Sequence, residues 1–514
     1  MLKFFRKYHR WPGVVSTLFI LLFAVSGIVL NHRELLSPLD VSRKLMPGNY
    51  RYSNWNLAAV KGQAKIAPDS ILLYGNTGIW LTDSTYRNFT DLNAGFPEGI
   101  DNRKVSSVSS DRVSGLYAGT LFGLYRYDKG PGRWEEVTLP VKEKRIVMVL
   151  PLGDTLLVMT RSFLVRYTSD DGFRHAEVLK VPAAEDDDGK AGLFRTLWVI
   201  HSGEIYGTVG KLIVDLIGLA FIIICITGLI YFFVPYILKK TKDEAKSRLK
   251  RFNLASLRWH NVLGSWLVVF LLLTTLTGMF LRPPLLIPIA GSRVGKIPYT
   301  EMDDPNPWFD RFRDIVYDDS LRRYLFATSE GIYYSDDRMR SALKRYPAQP
   351  PVSVMGINVF EVTAPGQYLV GSFSGIFTWR PSENLVIDGI TNTPYVESGR
   401  GGPPFGAVTV AGYLRTSASS DLIFDYAGGA LALNGKKMLP SMPEKIADAS
   451  PISLWNAMLE VHTGRIFEPL LGNFYILVVP LVGLFTLFIT VTGFFSWYLA
   501  RRRKRVLNLA ESHA

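Results

Sequence analysis

Four apolar stretches set the first limit on how this 514-residue chain can fold. They occupy residues 11–30, 212–238, 262–281 and 474–499, and a helix of about 20 apolar residues can cross a hydrocarbon core of about 30 Å. Helices suit this environment because each satisfies its own backbone hydrogen bonds. The sequence therefore predicts four transmembrane helices. The first stretch lacks a small-residue cleavage site and continues into Asn31, so we do not interpret it as a cleaved signal peptide.

The four stretches form two matched pairs. One pair follows His9 and His260, and in both copies glycines stand four and eighteen residues after the histidine. These glycines are Gly13 and Gly27 in the first copy and Gly264 and Gly278 in the second. The other pair follows the pentapeptides His-Ser-Gly-Glu-Ile from His201 and His-Thr-Gly-Arg-Ile from His462. The matching spacing indicates one two-helix unit that is used twice.

The basic residues predict the orientation in the membrane. Residues 1–10 carry four bases and no acid, residues 239–258 carry eight bases and two acids, and residues 501–514 carry five bases and one acid. Short basic segments stay on the cytoplasmic side, so both termini and the 239–258 loop are expected there. The long segments, about 32–205 and 283–468, are then expected in the periplasm of a Gram-negative cell. The net charge of +13 thus indicates an inner-membrane protein in contact with anionic lipid, and no nucleic acid is needed to explain it.

The long outer segments have the pattern of β structure. Short apolar or aromatic runs recur, and each leads through a turn into a second run. Six such units begin at Ile71, Gly115, Leu156, Tyr324, Tyr368 and Leu422. Three units fall in each segment, at intervals of about 40–50 residues that match a propeller blade. We predict a propeller of about six blades split between the two segments, because closure leaves no long free strand edge. Two separate β-sandwiches, or an α+β module in each segment, are the alternatives.

These patterns predict eight regions along the chain. They are the N-terminus with the first membrane helix (1–31), the first outer β segment (32–191), a surface helix with the second membrane helix (192–238), the basic inner loop (239–258), the third membrane helix (259–282), the second outer β segment (283–450), a surface helix with the fourth membrane helix (451–500), and a basic tail (501–514). An acidic loop is expected at 183–192 and a Gly/Pro loop at 399–404. Because Cys225 is the only cysteine, the outer domain cannot depend on an intrachain disulfide.

Five of the seven histidines stand at the predicted membrane boundaries. In a parallel repeat, equivalent residues face each other across the repeat axis. His9 should therefore face His260 on the inner side, and His201 should face His462 on the outer side. Two facing imidazoles in a helix bundle suit the axial positions of a b-type haem. The sequence predicts two haem b groups, bound noncovalently because no Cys-x-x-Cys-His motif is present.

Other residues are candidates for the same sites. His32 has no counterpart in the second copy, and it is a candidate axial ligand, a residue lining the outer site, or a helix cap. Arginines that could bind the haem propionates are Arg10, Arg33, Arg258 and Arg465. The repeated glycines, with Gly203 and Gly464, offer flat surfaces for a macrocycle but equally suit close helix packing. Asp215 is a rare acid within a membrane stretch and is either solvated or a proton site.

A simpler interpretation exists for the inner histidines. His9 and His260 stand beside Trp11 and Trp259, and such residues are common in the aromatic belts of membrane proteins. The chain also has no nucleophile–base triad, phosphate-binding loop or HExxH motif, and the inner loop is too short for a nicotinamide or flavin domain.

The helix starts His-Arg-Trp-Pro-Gly, Trp-His-Asn-Val-Leu-Gly, His-Ser-Gly-Glu-Ile and His-Thr-Gly-Arg-Ile resemble the PepSY-associated transmembrane family. The resemblance implies haem roles for His9, His260, His201 and His462. It also implies a similarity to inner-membrane ferric-siderophore reductases, which hold two haems in a helical domain and pass electrons outward to iron. The outer segments depart from the family pattern, because blade-like repeats stand in place of a PepSY-like α/β module.

We therefore expect a transmembrane electron carrier. A quinol or a separate cytosolic reductase would be the donor, and a ferric siderophore or another periplasmic iron complex would be the acceptor. The length of a membrane helix calls for deeply set haems or for a relay through aromatic residues such as Trp266, Phe270 or Tyr231. A non-enzymatic, membrane-anchored propeller that acts as a sensor or scaffold is the alternative. A haem oxidoreductase with a quinone or disulfide acceptor is a third hypothesis.

Overall fold

The computed structural model describes residues 2–111, 113–240, 242–353, 356–396, 406–416, 421–433 and 439–512. The chain divides into two compact units, each assembled from separate stretches. Unit 1 comprises Met1–Leu36, Gly189–Asp304 and Trp455–Ala514, and unit 2 comprises Ser37–Asp188 and Pro305–Leu454. Unit 1 is mainly helical, and unit 2 is mainly β structure. The predicted Gly/Pro loop at 399–404 lies outside the described residues.

The helices are, in chain order, α1 (Leu2–Asn31), α2 (Leu193–Ser202), α3 (Gly207–Leu238), α4 (Asp243–Trp266), α5 (Val268–Phe280), α6 (Glu444–Asp448), α7 (Leu454–His462), α8 (Glu468–Leu471) and α9 (Val478–Ser512). The strands are β1 (Asp40–Val41), β2 (Gly62–Ala67), β3 (Ser70–Gly75), β4 (Gly78–Thr82), β5 (Phe89–Asp91), β6 (Val105–Asp111), β7 (Gly115–Thr120), β8 (Leu124–Asp128), β9 (Arg133–Val137), β10 (Ile146–Leu152), β11 (Thr155–Thr160), β12 (Leu164–Thr168), β13 (Ala176–Leu179), β14 (Lys190–Gly192), β15 (Arg293–Gly295), β16 (Phe312–Asp318), β17 (Arg323–Thr328), β18 (Ile332–Ser335), β19 (Lys344–Arg345), β20 (Ile357–Ala364), β21 (Gln367–Ser372), β22 (Gly375–Arg380), β23 (Leu385–Asp388), β24 (Val410–Leu414), β25 (Leu422–Asp425), β26 (Gly429–Ala432) and β27 (Ile452–Ser453).

Within the described residues, three helical segments of unit 1 are long and apolar enough to cross a membrane. They are Leu2–Asn31, Glu204–Leu238 and Arg465–Leu509. The predicted third membrane helix differs from these, because α4 and α5 meet at an angle of 68° beside Leu267. Gly264 and Ser265 precede the bend, and Gly/Ser pairs are a known cause of helix kinks. Three of the four predicted transmembrane helices are therefore found, and the predicted third helix is a span only if the bent pair crosses as one.

A short strand pair precedes one of the two short helices that carry histidines in unit 1. The strands β14 and β15 pair antiparallel, with Ala191 opposite Val294, and α2 begins directly after β14. The helix predicted to carry His201 is thus confirmed. The second predicted surface helix corresponds to α7, which ends at His462.

Six antiparallel sheets make up most of unit 2. In chain order they are β2–β5, β6–β9, β10–β13, β16–β19, β20–β23 and β24–β26. The six two-strand units predicted from the sequence are the second and third strands of these sheets, so the hairpins are confirmed. The first strand of each sheet contacts the first strand of the next, from β2 through β6, β10, β16 and β20 to β24, and β24 contacts β2 again.

Buried tryptophans join neighbouring sheets of unit 2. Trp134, Trp308 and Trp379 are almost fully buried, and their indole N–H groups donate to the backbone oxygens of Leu92, Pro182 and Ala348. A buried indole combines a large apolar surface with one polar group that needs a partner. These contacts supply the core packing expected of a domain without disulfides.

The predicted acidic loop of unit 2 is held by ion pairs. Asp187 lies 3.4 Å from Arg311, and Asp186 lies 3.4 Å from Arg345. The loop is therefore not simply a solvated acidic segment.

Candidate functional site

Two pairs of histidines face each other within unit 1. The ring centroids of His9 on α1 and His260 on α4 are 5.8 Å apart. Those of His201 on α2 and His462 on α7 are 6.0 Å apart. All four side chains are half-buried. Each pair joins one histidine from each copy of the sequence repeat, in the combination that the repeat predicts. The two pairs are called the inner pair (His9 and His260) and the outer pair (His201 and His462) below.

Each histidine ring packs on a glycine of a different helix. The glycines that contact His9, His260, His201 and His462 are Gly493, Gly228, Gly278 and Gly27, and a methyl group at these positions would lie 2.7, 3.1, 2.6 and 3.2 Å from ring Cε1. Distances below 3.0 Å do not occur between real Cβ atoms and their neighbours, so glycine is required at the tighter positions. Gly27 and Gly278 thus receive an imidazole, and are not the open surfaces for a macrocycle that the sequence suggested.

A backbone carbonyl orients every one of these rings. The Nδ1 atoms of His9, His260, His201 and His462 lie 2.8, 2.9, 3.0 and 3.0 Å from the carbonyl oxygens of Ile489, Ile224, Thr274 and Phe23. Each carbonyl belongs to the residue four positions before the contacted glycine. A carbonyl can only accept, so Nδ1 carries the proton and Nε2 keeps a lone pair for a metal. Within the described chain, none of the four Nε2 atoms makes a hydrogen bond.

The residue before each contacted glycine is a serine or threonine, to which the sequence analysis assigned no role. These residues are Ser26, Thr227, Thr277 and Thr492, and each hydroxyl donates to a carbonyl of its own helix. At the outer pair the hydroxyl also approaches the histidine: Ser26 Oγ lies 3.0 Å from Nδ1 of His462, and Thr277 Oγ1 lies 3.4 Å from Nδ1 of His201. Ser/Thr-Gly recurs in all four helices, and this recurrence is the sequence signal for a shared role.

The other repeated glycines have different roles. Gly203 and Gly464 adopt φ angles of +79° and +74° and end the helices that carry His201 and His462, as left-handed C-cap residues do. A methyl group at Gly13 or Gly264 would meet nothing within 4 Å. These two residues lie one turn after His9 and His260 on the same helix face, and they leave open space beside the inner pair.

The electrostatics of the outer pair favour neutral imidazoles. Burial lowers the pKa of His201. Burial lowers the pKa of His462 to about 3, and repulsion from His201, when that ring is protonated, and from Arg282 adds to this effect. Both rings are therefore neutral near pH 7, which is the state that binds a metal. Arg282 was not among the residues predicted from the sequence.

The four predicted arginines are placed differently from one another. Arg465 donates to the buried Glu460 at 2.5 Å, close to the outer pair. Arg10 donates to Tyr236 at 3.1 Å and lies over Phe232. Arg33 stacks on Trp455 with 3.8 Å to the ring centroid. Arg258 is exposed.

His32 belongs to a separate cluster. Its Nε2 atom lies 2.7 Å from Oδ2 of Asp215, whose Oδ1 accepts from Asn31 at 2.8 Å. In the part of the chain that the structure describes, His32 makes no ring contact with either histidine pair. Asp215 is thus paired with His32 within unit 1. The sequence had left open whether His32 is an axial ligand.

The predicted aromatic relay is not supported by the positions of its members. Trp266, Phe270 and Tyr231 are 79%, 48% and 45% exposed, so they face outward from unit 1. The buried cluster of the helices α1, α3 and α9 consists of Ile20, Cys225 and Ile489, packed with Leu21 and Phe221.

The residues of the two pairs fit haem. In the described chain, no group of three or more His, Cys, Asp or Glu side chains could hold a metal ion. A pair of imidazoles suits instead a group that brings its own equatorial ligands, such as an iron porphyrin. The open surfaces at Gly13 and Gly264 are consistent with a flat group beside the inner pair.

Comparisons with known proteins place these features in context. The family model described as the PepSY-associated TM region matches residues 2–234 and 174–501. No curated protein matches the chain.

Solved structures show only distant similarity. One is described as the extracellular domain of a hybrid two component system from B. thetaiotaomicron, with 9% identity, a TM-score of 0.37, and coverage of 73% of this chain and 32% of that chain. Another is PorZ of the type-IX secretion system of Porphyromonas gingivalis, with 10% identity, a TM-score of 0.17, and coverage of 73% and 44%. The chain thus spans about a third of the first and under half of the second, and these scores carry no argument about its function.

Proposed function

This chain belongs to the family of the PepSY-associated TM region, and we propose that it is an inner-membrane protein that holds two b-type haems and transfers electrons to a periplasmic acceptor. A bound haem supplies reversible one-electron reduction of its iron. The acceptor that we propose is a ferric siderophore or another iron complex, because hard oxygen ligands hold Fe(III) more tightly than Fe(II). A quinol or a cytosolic reductase is the proposed donor.

One observation carries this proposal: the same histidine environment occurs four times. In each case the ring packs on a glycine and its Nδ1–H donates to a backbone carbonyl. A hydrogen bond from the non-ligating nitrogen fixes the orientation of a histidine ligand and raises its basicity. A histidine that merely lined the membrane boundary would not need its rotamer determined in this way.

The orientation and the outer domain are also part of the proposal. The basic segments 1–10, 239–258 and 501–514 support a cytoplasmic location for both termini and for the start of α4. The predicted inner loop is wrong in form, since α4 already begins at Asp243. Unit 2 would then be periplasmic. We propose that unit 2 is a six-bladed propeller, which is supported by the succession of first-strand contacts from β2 to β24 and back to β2.

Absorption spectroscopy of the purified full-length chain tests the haem proposal. We expect a Soret band, an α-band after reduction, and two haems per chain. His260→Ala should remove one haem, His462→Ala the other, and the double variant both, because each substitution deletes one member of a pair. His175→Ala, in unit 2, is the matched control and should retain both haems. A colourless protein after expression in haem-replete cells would contradict the proposal.

A second candidate function is a membrane-anchored sensor or scaffold. It is favoured by a cavity of about 640 Å³ in unit 2, lined in part by Arg345, Tyr346, Gln349, Asn384 and Tyr395. Cavities of this size hold small ligands. The spectroscopic test separates the two candidates, since a sensor does not require haem.

A further inference from the structure

Arg282 is a half-buried cation close to the outer pair. It stands just after α5, four residues beyond Gly278, the glycine that contacts His201. The charge of Arg282 acts on His462, so Arg282 lies close to both members of the outer pair. In the part of the chain that the structure describes, no hydrogen bond or ion pair involves its guanidinium.

Arg282 lies within electrostatic range of a second arginine and of a carboxylate. These are Arg465 and Glu460, and Arg465 donates to Glu460 at 2.5 Å. A buried or partly buried charge is costly unless it is paired. An arginine remains protonated in proteins, so a half-buried guanidinium without a hydrogen bond or ion pair among the described residues favours a bound anion.

The same position in the first copy carries no cation. Asn31 stands four residues after Gly27, as Arg282 stands four residues after Gly278. Asn31 donates to the carboxylate of Asp215. At these two matched positions, the cation therefore occurs only in the second copy.

We propose that Arg282, assisted by Arg465, binds a carboxylate at the outer pair, and that this carboxylate is a propionate of the haem held there. The inference rests on the proposed haem function. Guanidinium groups bind carboxylates through short, charge-assisted hydrogen bonds, often two at once. A phospholipid phosphate has the same oxyanion chemistry, and the experiment separates these two sources.

Porphyrin binding to the full-length chain tests the assignment. The His260→Ala background removes the inner pair, so that only the outer pair binds. Iron protoporphyrin IX and its dimethyl ester are titrated in a lipid-free, non-ionic detergent, and affinities are read from the Soret band. With Arg282 present, the free acid should bind about tenfold to a hundredfold more tightly than the ester, as expected for hydrogen bonds to a charged group. Arg282→Gln should remove most of this preference, and Arg282→Lys should restore part of it.

Lys211→Gln is the control, because it removes a positive charge from α3 and leaves Arg282 and Arg465 in place. It should keep the preference for the free acid. Far-UV circular dichroism of the full-length chain confirms that the helices of unit 1 are folded in each variant.

Three results would overturn the inference. The first is equal affinity for acid and ester when Arg282 is present. The second is an equal loss of both affinities in Arg282→Gln, which would make Arg282 a structural residue. The third is weaker binding of the free acid in phosphatidylglycerol nanodiscs than in detergent, observed only when Arg282 is present. Such competition would assign the arginine to lipid phosphate. Binding of neither porphyrin to any variant would instead refute the haem function itself.

Discussion

At the scale of single residues, histidine and glycine act together in unit 1. The ring reaches the helix carbonyl only because the residue four positions later has no side chain in the way. One hydrogen bond of this kind contributes about 1 kcal/mol, so its main effect is on orientation. The preceding Ser or Thr donates its hydroxyl to the backbone of the same helix. The carbonyl oxygen there also accepts the imidazole N–H.

The glycine contacts predict a graded response to alanine. At Gly278 a methyl group would lie 2.6 Å from His201, whereas at Gly27 it would lie 3.2 Å from His462. Overpacking costs about 1–3 kcal/mol, and alanine regains up to about 1 kcal/mol of helix propensity. We therefore expect Gly278→Ala to displace His201 and empty the outer site, while Gly27→Ala stays close to the parent protein.

Haem stoichiometry and the midpoint of thermal unfolding check this difference. Gly291→Ala serves as the control, since a methyl group there meets nothing within 4 Å. Equal effects of Gly278→Ala and Gly27→Ala would contradict the packing that we describe.

At the scale of elements, a short segment links the first and sixth sheets of unit 2. Leu57 N–H donates to Tyr426 at 2.7 Å, and Ala430 N–H donates to Asn54 at 2.8 Å. The backbone approach is close at Gly429, where a methyl group would lie 1.7 Å from the Asn54 oxygen. The last sheet is thus bonded to chain that immediately precedes the first, which joins the two ends of the sheet succession.

This link predicts that alanine at Gly429 destabilises the protein more than alanine at a glycine with similar backbone geometry. Gly429 and Gly115 have φ angles of +83° and +94°, so alanine brings a comparable strain of about 1–3 kcal/mol at either. Only Gly429→Ala adds a collision with backbone, which we expect to cost at least about 2 kcal/mol more. The tryptophan fluorescence melting midpoint of the full-length chain should fall further for Gly429→Ala than for Gly115→Ala. Equal shifts would show that the link contributes little.

At the scale of the whole molecule, the chain alternates twice between a helical and a β unit. Each of the two segments of unit 2 lies between two membrane-type helices of unit 1 in the sequence. Both units are therefore built from both halves of the chain. The match over residues 2–234 and 174–501 confirms the family resemblance that the four helix starts indicated. The membrane character and the mainly β second domain are also confirmed.

The proposed orientation predicts a labelling pattern. Cys225, the only cysteine, is buried, so the parent chain should react poorly with a membrane-impermeant maleimide. Ser84→Cys, at an exposed position of unit 2, should be labelled in spheroplasts. Ser247→Cys, at an exposed position of α4, should be labelled only after the membrane is permeabilised. The reverse pattern would invert the topology drawn from the basic segments.

Local and periodic features could be predicted from the sequence alone. The apolar stretches, the repeated His–Gly spacing and the six hairpins follow from short-range patterns, because helices and hairpins are determined by neighbouring residues. The partners within each histidine pair followed from the symmetry of the repeat. Other features depend on contacts between residues far apart in the chain, so only the tertiary structure decided them. These are the 68° bend between α4 and α5, the glycine on which each imidazole rests, the pairing of His32 with Asp215, and the position of Arg282 beside the outer pair.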